Sequence, residues 1–281
     1  MPLPKPQDPN VLGLSSFRIK TRFGSLHYVG PKSRTSDEVI IFLHGFGSNW
    51  AIWIPLIEAA RRQGLLSRQD IVLVDLPSFG ESENQLGHLN SREIGQELLA
   101  LVDTLGYTQM RVAGHSMGGF LALDLAANST KVLSIHLVAG SYLTLIRVVN
   151  SPVRGLFSFP GITMFYLFQQ LVSRNSLLTS VVNRTSANRP SSQMHLYKVG
   201  GKSFLYASKN GIGYDAPSIW GAISAPVYAA FGSQDKLVPQ SDMQFLQKII
   251  PSARLSLIQG AGHSMLVSHP AETAKAIFSD I

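Results

Sequence analysis

The residues of this chain best suited by type and spacing to do chemistry are Gly114-His115-Ser116-Met117-Gly118. An apolar run, Arg111-Val112-Ala113, leads into them, and Leu121-Ala122-Leu123-Asp124-Leu125-Ala126-Ala127 follows as a good helix. The pattern reads as strand, sharp turn, helix. A serine at such a turn is forced into a strained backbone conformation, and glycines at 114 and 118 remove side chains that would collide with it. The hydroxyl then stands clear of the sheet edge. The Met117 N–H falls at the helix N-terminus, where it has no intrahelical acceptor and faces whatever the serine attacks. The chemistry implied is nucleophilic attack by serine, with a donor in place for the negative oxygen that forms.

Serine at its ordinary pKa is a poor nucleophile and needs a base that takes its proton and later returns it, a task suited to an imidazole. Two late loops supply candidates: Gly260-Ala261-Gly262-His263, and Gly232-Ser233-Gln234-Asp235. Asp235 would fix the tautomer of His263 and stabilise its charged form. Plainer readings stand beside these: a connector serine, a loop histidine, and an acid at the start of a helix.

The elements that must position these residues alternate along the chain. Residues 16–23 and 26–29 read as an edge hairpin. Apolar runs at 39–43, 71–74, 132–138 and 227–231 read as strands buried on both faces, and 254–258 as a last strand. Helical spacing occurs at 49–62, 91–105, 240–250 and 270–280, with Ser91 as a cap and Gly64 and Gly106 as stops. This alternation argues for a doubly wound, mostly parallel sheet. Ser116, Asp235 and His263 all fall at carboxyl ends of strands, where such sheets place their ligand sites.

Between Ser141 and Tyr214 the grammar changes. Eight Lys or Arg and no Asp or Glu occur there, which accounts for the formal charge of +7, since the remainder is nearly balanced. Aromatics, Ser and Asn are frequent, and Pro152, Pro160 and Pro190 interrupt helical patterns. The expectation is a mostly helical cap over 141–221, inserted between core segments 1–140 and 222–281. Phe157, Phe159, Phe165 and Phe168 from this insert, and Met265 beside His263, would line an apolar substrate site. The dispersed basic residues fit an anionic membrane surface or an anionic ligand better than nucleic acid, with a solvated face as the plainer reading. With no cysteine, disulfides and thiolate chemistry are excluded. The histidine spacing suggests no metal site, no apolar run reaches membrane-spanning length, and the first residues lack a signal-peptide core. A cytoplasmic protein is expected, with peripheral membrane contact as the sharper reading of the insert.

The chain resembles α/β-hydrolase-fold proteins of the capped esterase and lipase-like branch. The resemblance rests on His44-Gly45-Phe46-Gly47, Asp75-Leu76-Pro77-Ser78-Phe79-Gly80-Glu81-Ser82, the serine turn, the Asp235 loop and the His263 loop. Ser78 stands where many relatives have glycine. The resemblance implies an oxyanion hole from the Phe46 and Met117 N–H groups, and loop-shaping roles for His44 and Asp75. It implies a serine hydrolase without metal or cofactor, acting on an ester of an apolar acid. C–C bond hydrolysis, in which Arg174 or Arg189 would grip a carboxylate, thioester hydrolysis and acyl transfer use the same three residues. A hydrolase-like receptor with slow turnover is the rival of another class.

Overall fold

The computed structural model describes residues 8–22, 24–46, 48–66, 69–77, 79–83, 91–140 and 219–280. Segment 141–218, with Phe157, Phe159, Phe165, Phe168, Arg174 and Arg189, lies outside the described residues, so nearly all of the expected cap does too.

Eight strands form one sheet: β1 (Ser15–Thr21), β2 (Gly24–Gly30), β3 (Glu38–Leu43), β4 (Asp70–Val74), β5 (Gln109–His115), β6 (Val132–Val138), β7 (Val227–Gly232) and β8 (Arg254–Ile258). Their order is β1-β2-β4-β3-β5-β6-β7-β8. The hairpin β1–β2 joins the rest antiparallel through β2 and β4, and the strands from β4 across to β8 run parallel. The helices are α1 (Ile54–Arg62), α2 (Ser91–Thr104), α3 (Met117–Ala127), α4 (Gln240–Ile249), the short α5 (Met265–Ser268) and α6 (Pro270–Phe278).

The apolar runs become interior strands because the sheet is covered on both sides. Val39, Ile41 and Leu43 of β3 pack with Leu98, Leu101, Phe120 and Leu123 of α2 and α3. Ile40 and Phe42, one residue out of phase, pack with Trp53, Leu56, Ile57 and Phe278 on the side of α1 and α6. A strand with polar residues at every second position could not fill both layers. Each such side chain removed from water contributes on the order of 2 kcal/mol before the cost of ordering it.

The expected helix over 49–62 divides in two. Trp50–Trp53 is a 3-10 turn whose first residues are capped by the Asn49 side chain, which accepts from the Ala51 N–H at 3.0 Å, and α1 starts at Ile54. Pro55 is the physical reason, since its ring collides with the carbonyl four residues back and it has no N–H to continue an α-helix.

Strand order reverses at β3: β4 lies on one side and β5, which follows in sequence, on the other. Leu43 is in register with Gly114, so the turn after β3 and the turn after β5 open side by side. A crevice at such a reversal is the usual ligand site of an open α/β sheet.

Candidate active site

Ser116 has φ 52° and ψ −116°, a left-handed backbone that a non-glycine residue adopts only when its surroundings enforce it. Backbone contacts supply that enforcement. A Cβ on Gly114 would run into the main chain of Gly118 and Gly119, and one on Gly118 would strike the carbonyls of Leu43 and His44. The Ser116 N–H donates to the Val138 carbonyl at 3.0 Å, which pins the turn to β6. At the end of β6, Ala139 is the other described non-glycine residue with positive φ, at 45°. Met117 begins α3 directly, so its N–H is among those without an intrahelical acceptor.

The two late loops bring their residues to this turn. The Ser116 hydroxyl lies 3.1 Å from His263 Nε2, and His263 Nδ1 lies 2.9 Å from Asp235 Oδ2. A carboxylate only accepts, so the ring proton sits on Nδ1 and Nε2 is left to accept from the serine. Asp235 Oδ1 accepts from the N–H groups of Leu237 and Val238, at 2.8 and 2.9 Å. Burial works against the charged carboxylate, but the hydrogen bond and charge of His263 and these two N–H groups outweigh it and hold its pKa below the ordinary value. The Asp235 and His263 loops are tied together where the Gln234 N–H donates to the Ala261 carbonyl at 2.9 Å. Sequence reasoning selected these three residues, and the fold brings all three into one hydrogen-bonded chain.

His44 and Asp75 point into backbone. His44 Nδ1 donates to the Gly45 carbonyl at 2.7 Å, and its Nε2 accepts from the Leu76 N–H at 3.0 Å. Burial, opposed by the charge of Asp75 and the Gly45 hydrogen bond, lowers the pKa of this imidazole. Asp75 accepts from the N–H groups of Trp50 and Glu81, both at 2.8 Å, and from His27 Nδ1 at 2.8 Å. These bonds shape the turn that carries Phe46, whose ring stands edge-on to Phe79 with centroids 5.6 Å apart.

Met265, placed beside the substrate from sequence, is fully buried in the apolar layer with Trp53, Leu56 and Leu266. It is the first residue of α5, and the same layer includes Ala113, Val138 and Ala261. Among the described residues no cluster of His, Asp and Glu could hold a metal ion. Residues 88 and 195, both histidines, lie outside them, and His136 is buried against the Ile277 carbonyl. Among the described residues no helix is long and apolar enough to cross a membrane.

The sequence pattern of the alpha/beta hydrolase family matches residues 40–276. The chain belongs to that family. A pimeloyl-[acyl-carrier protein] methyl ester esterase of Aeromonas hydrophila is 26% identical over 259 residues, covering 85% of this chain and 93% of the relative. A 2-hydroxy-6-oxononadienedioate/2-hydroxy-6-oxononatrienedioate hydrolase of Cupriavidus pinatubonensis is 26% identical over 245 residues, 80% of either chain. Among solved structures, a carboxylesterase from Bacillus subtilis superposes with a TM-score of 0.70 at 18% identity, covering 93% of this chain and 89% of that one. The last comparison shows the alpha/beta hydrolase fold.

Proposed function

We propose that this alpha/beta hydrolase cleaves a carboxylic ester through an acyl-enzyme on Ser116, with His263 as acid and base and Asp235 as its orienting group. The observation that carries the reading is the strained Ser116 with its hydroxyl 3.1 Å from an imidazole held from behind by a carboxylate. A turn with that backbone strain is expensive to maintain and has a chemical use at a nucleophile. The esterase relative, aligned over most of both chains, supports the ester as the bond attacked.

In this mechanism the Ser116 oxygen attacks the ester carbonyl while its proton passes to His263 Nε2. The tetrahedral oxyanion is received by the N–H groups of Phe46 and Met117, on the two turns that open together at the β3–β5 reversal. The alcohol leaves with the proton from Nε2. Water then attacks the acyl group, giving its proton to the same nitrogen, and Ser116 is regenerated. Asp235 keeps the proton on Nδ1 throughout and balances the imidazolium charge. An apolar acyl group would be the substrate class, as the sequence reading of 141–221 suggests.

The test is a chain-length series of p-nitrophenyl esters on the wild type and Ser116→Ala, with covalent labelling by a fluorophosphonate. Turnover that depends on acyl length and is lost in the variant supports the reading. A labelled wild type with no ester turnover would move the assignment to C–C hydrolysis, the reaction class suggested by the name of the Cupriavidus relative, or to a receptor with slow turnover.

A further inference from the structure

We propose that His115 is a positioning residue for this chemistry: as a neutral imidazole it donates Nε2–H to the main-chain carbonyl of His263 and holds the base's loop against the strand that carries the nucleophile. The proposal rests on the hydrolase reading, because it gives His115 a task only if His263 serves Ser116.

His115 is the last residue of β5 and is joined directly to Ser116. Its Nε2 lies 3.1 Å from the His263 carbonyl oxygen, and the two rings are 5.0 Å apart, tilted by 44°. One residue therefore touches the base through its side chain and the nucleophile through its backbone. A carbonyl oxygen can only accept, so the ring proton must be on Nε2 and Nδ1 carries a bare lone pair. That nitrogen is buried against Gly45, where a Cβ would come within 2.9 Å of it, and it has no hydrogen-bond partner among the described residues. A second proton would have to occupy a buried site with no acceptor to meet it.

The charges around the ring agree. Burial and then the neighbouring His263 push His115 down to about 3, against the opposing pull of the His263 carbonyl and Asp235, while His44 adds to the lowering. His115 thus stays neutral, in one tautomer, wherever His263 can work as a base. Neutrality matters because His263 becomes a cation when it takes the serine proton, and a second cation 5.0 Å away would oppose it. Position matters because His263 follows Gly260-Ala261-Gly262, which offer almost no side chain to fix the loop. The Gln234 bond to Ala261 restrains one side of that loop and His115 restrains the other.

The experiment compares the wild type with His115→Leu and His115→Gln, reading kcat and KM on one p-nitrophenyl ester and the rate of fluorophosphonate labelling. Leucine fills the space without a donor, while the glutamine amide can place an N–H where Nε2 stood. The expected result is that the leucine variant loses about tenfold in kcat and in labelling rate, the equivalent of one hydrogen bond. KM stays within about twofold, and glutamine recovers most of the loss. If the leucine variant does not fold, His115→Asn, whose shorter amide cannot reach the carbonyl, replaces it. In parallel, 15N NMR of the wild type should show His115 protonated on Nε2 alone and neutral down to about pH 4.5. A leucine variant as fast as the wild type, a glutamine variant no better than leucine, or a His115 ring that titrates near its ordinary value would each overturn the proposal. A wild type that neither hydrolyses esters nor takes the label would instead overturn the hydrolase reading, with the NMR tautomer still deciding the His115 bond.

Discussion

Ser116–His263–Asp235 and Ser16–His27–Asp75 are built from the same three residue types bonded in the same order. In the first, the distances are 3.1 Å from hydroxyl to Nε2 and 2.9 Å from Nδ1 to carboxylate; in the second both are 2.8 Å. Both carboxylates are also held by two backbone N–H groups. The acids and histidines are therefore nearly equivalent in hydrogen bonding, and the arrays differ in the backbone of the serine and the exposure of the histidine. Ser16 sits in the regular β1 ladder opposite Val29, whereas Ser116 sits on a strained turn at the start of α3. The His27 side chain is only 1% exposed and that of His263 is 21% exposed, so the second ring can meet a substrate. A hydrogen-bonded chain of Ser, His and Asp can thus serve simply to satisfy polar groups, and the strained turn beneath Ser116 is what sets one of the two apart.

Substitutions can break this comparison at each of its members. The largest effect expected is from Ser116→Ala, which should lower ester turnover by about four to six orders of magnitude, measured as kcat with a folded variant. Asp235→Asn should cost about 10⁴-fold in kcat by forcing His263 into the wrong tautomer, with the acidic limb of the pH–rate profile as a second readout. Asp75→Asn should instead act on stability, by about 3 kcal/mol in urea unfolding, because an amide N–H would then face the N–H of Trp50 or Glu81.

His136 provides a pH test. Burial and the charge of Arg111, opposed by the hydrogen bond to Ile277, push its ring down to about 4. The unfolded chain takes up a proton near the ordinary value of 6.5 and the folded chain does not until about pH 4. The folded state therefore binds fewer protons in that window, and stability should fall as pH drops from 6.5 to 4, by roughly 3 kcal/mol from this group. His136→Asn should flatten that slope. The smallest effect expected is from Ser16→Ala: about 1 kcal/mol of stability, with ester turnover and fluorophosphonate labelling unchanged. Labelling of Ser16 in the Ser116→Ala protein would erase the distinction between the two arrays.

The fold was legible in sequence where one force dominates locally. A short run of β-branched and aromatic residues such as Val39-Ile40-Ile41-Phe42-Leu43 suits a strand covered on both faces, and Ser116, Asp235 and His263 each lie in a turn or loop that follows a strand of the sheet. What sequence reading missed depends on which strands become neighbours. His27 meets Asp75 across 48 residues because β2 pairs with β4 out of sequence order, and His115 meets the His263 carbonyl across 148. No local pattern encodes either distance. The packing of Met265 was likewise not legible, since its burial with Trp53 and Leu56 depends on how α5 meets the core.

The close fit of Gly118 against the Leu43 and His44 carbonyls has a consequence for how this scaffold can diverge. The separation between the turn after β3 and the start of α3 is gauged by main chain resting on main chain. Side chains around the crevice can then be exchanged without altering that gauge. A lineage can explore new substrates through such exchanges while the two N–H groups that would meet the oxyanion keep their spacing, whereas a methyl group at position 114 or 118 would press on the main chain that sets it.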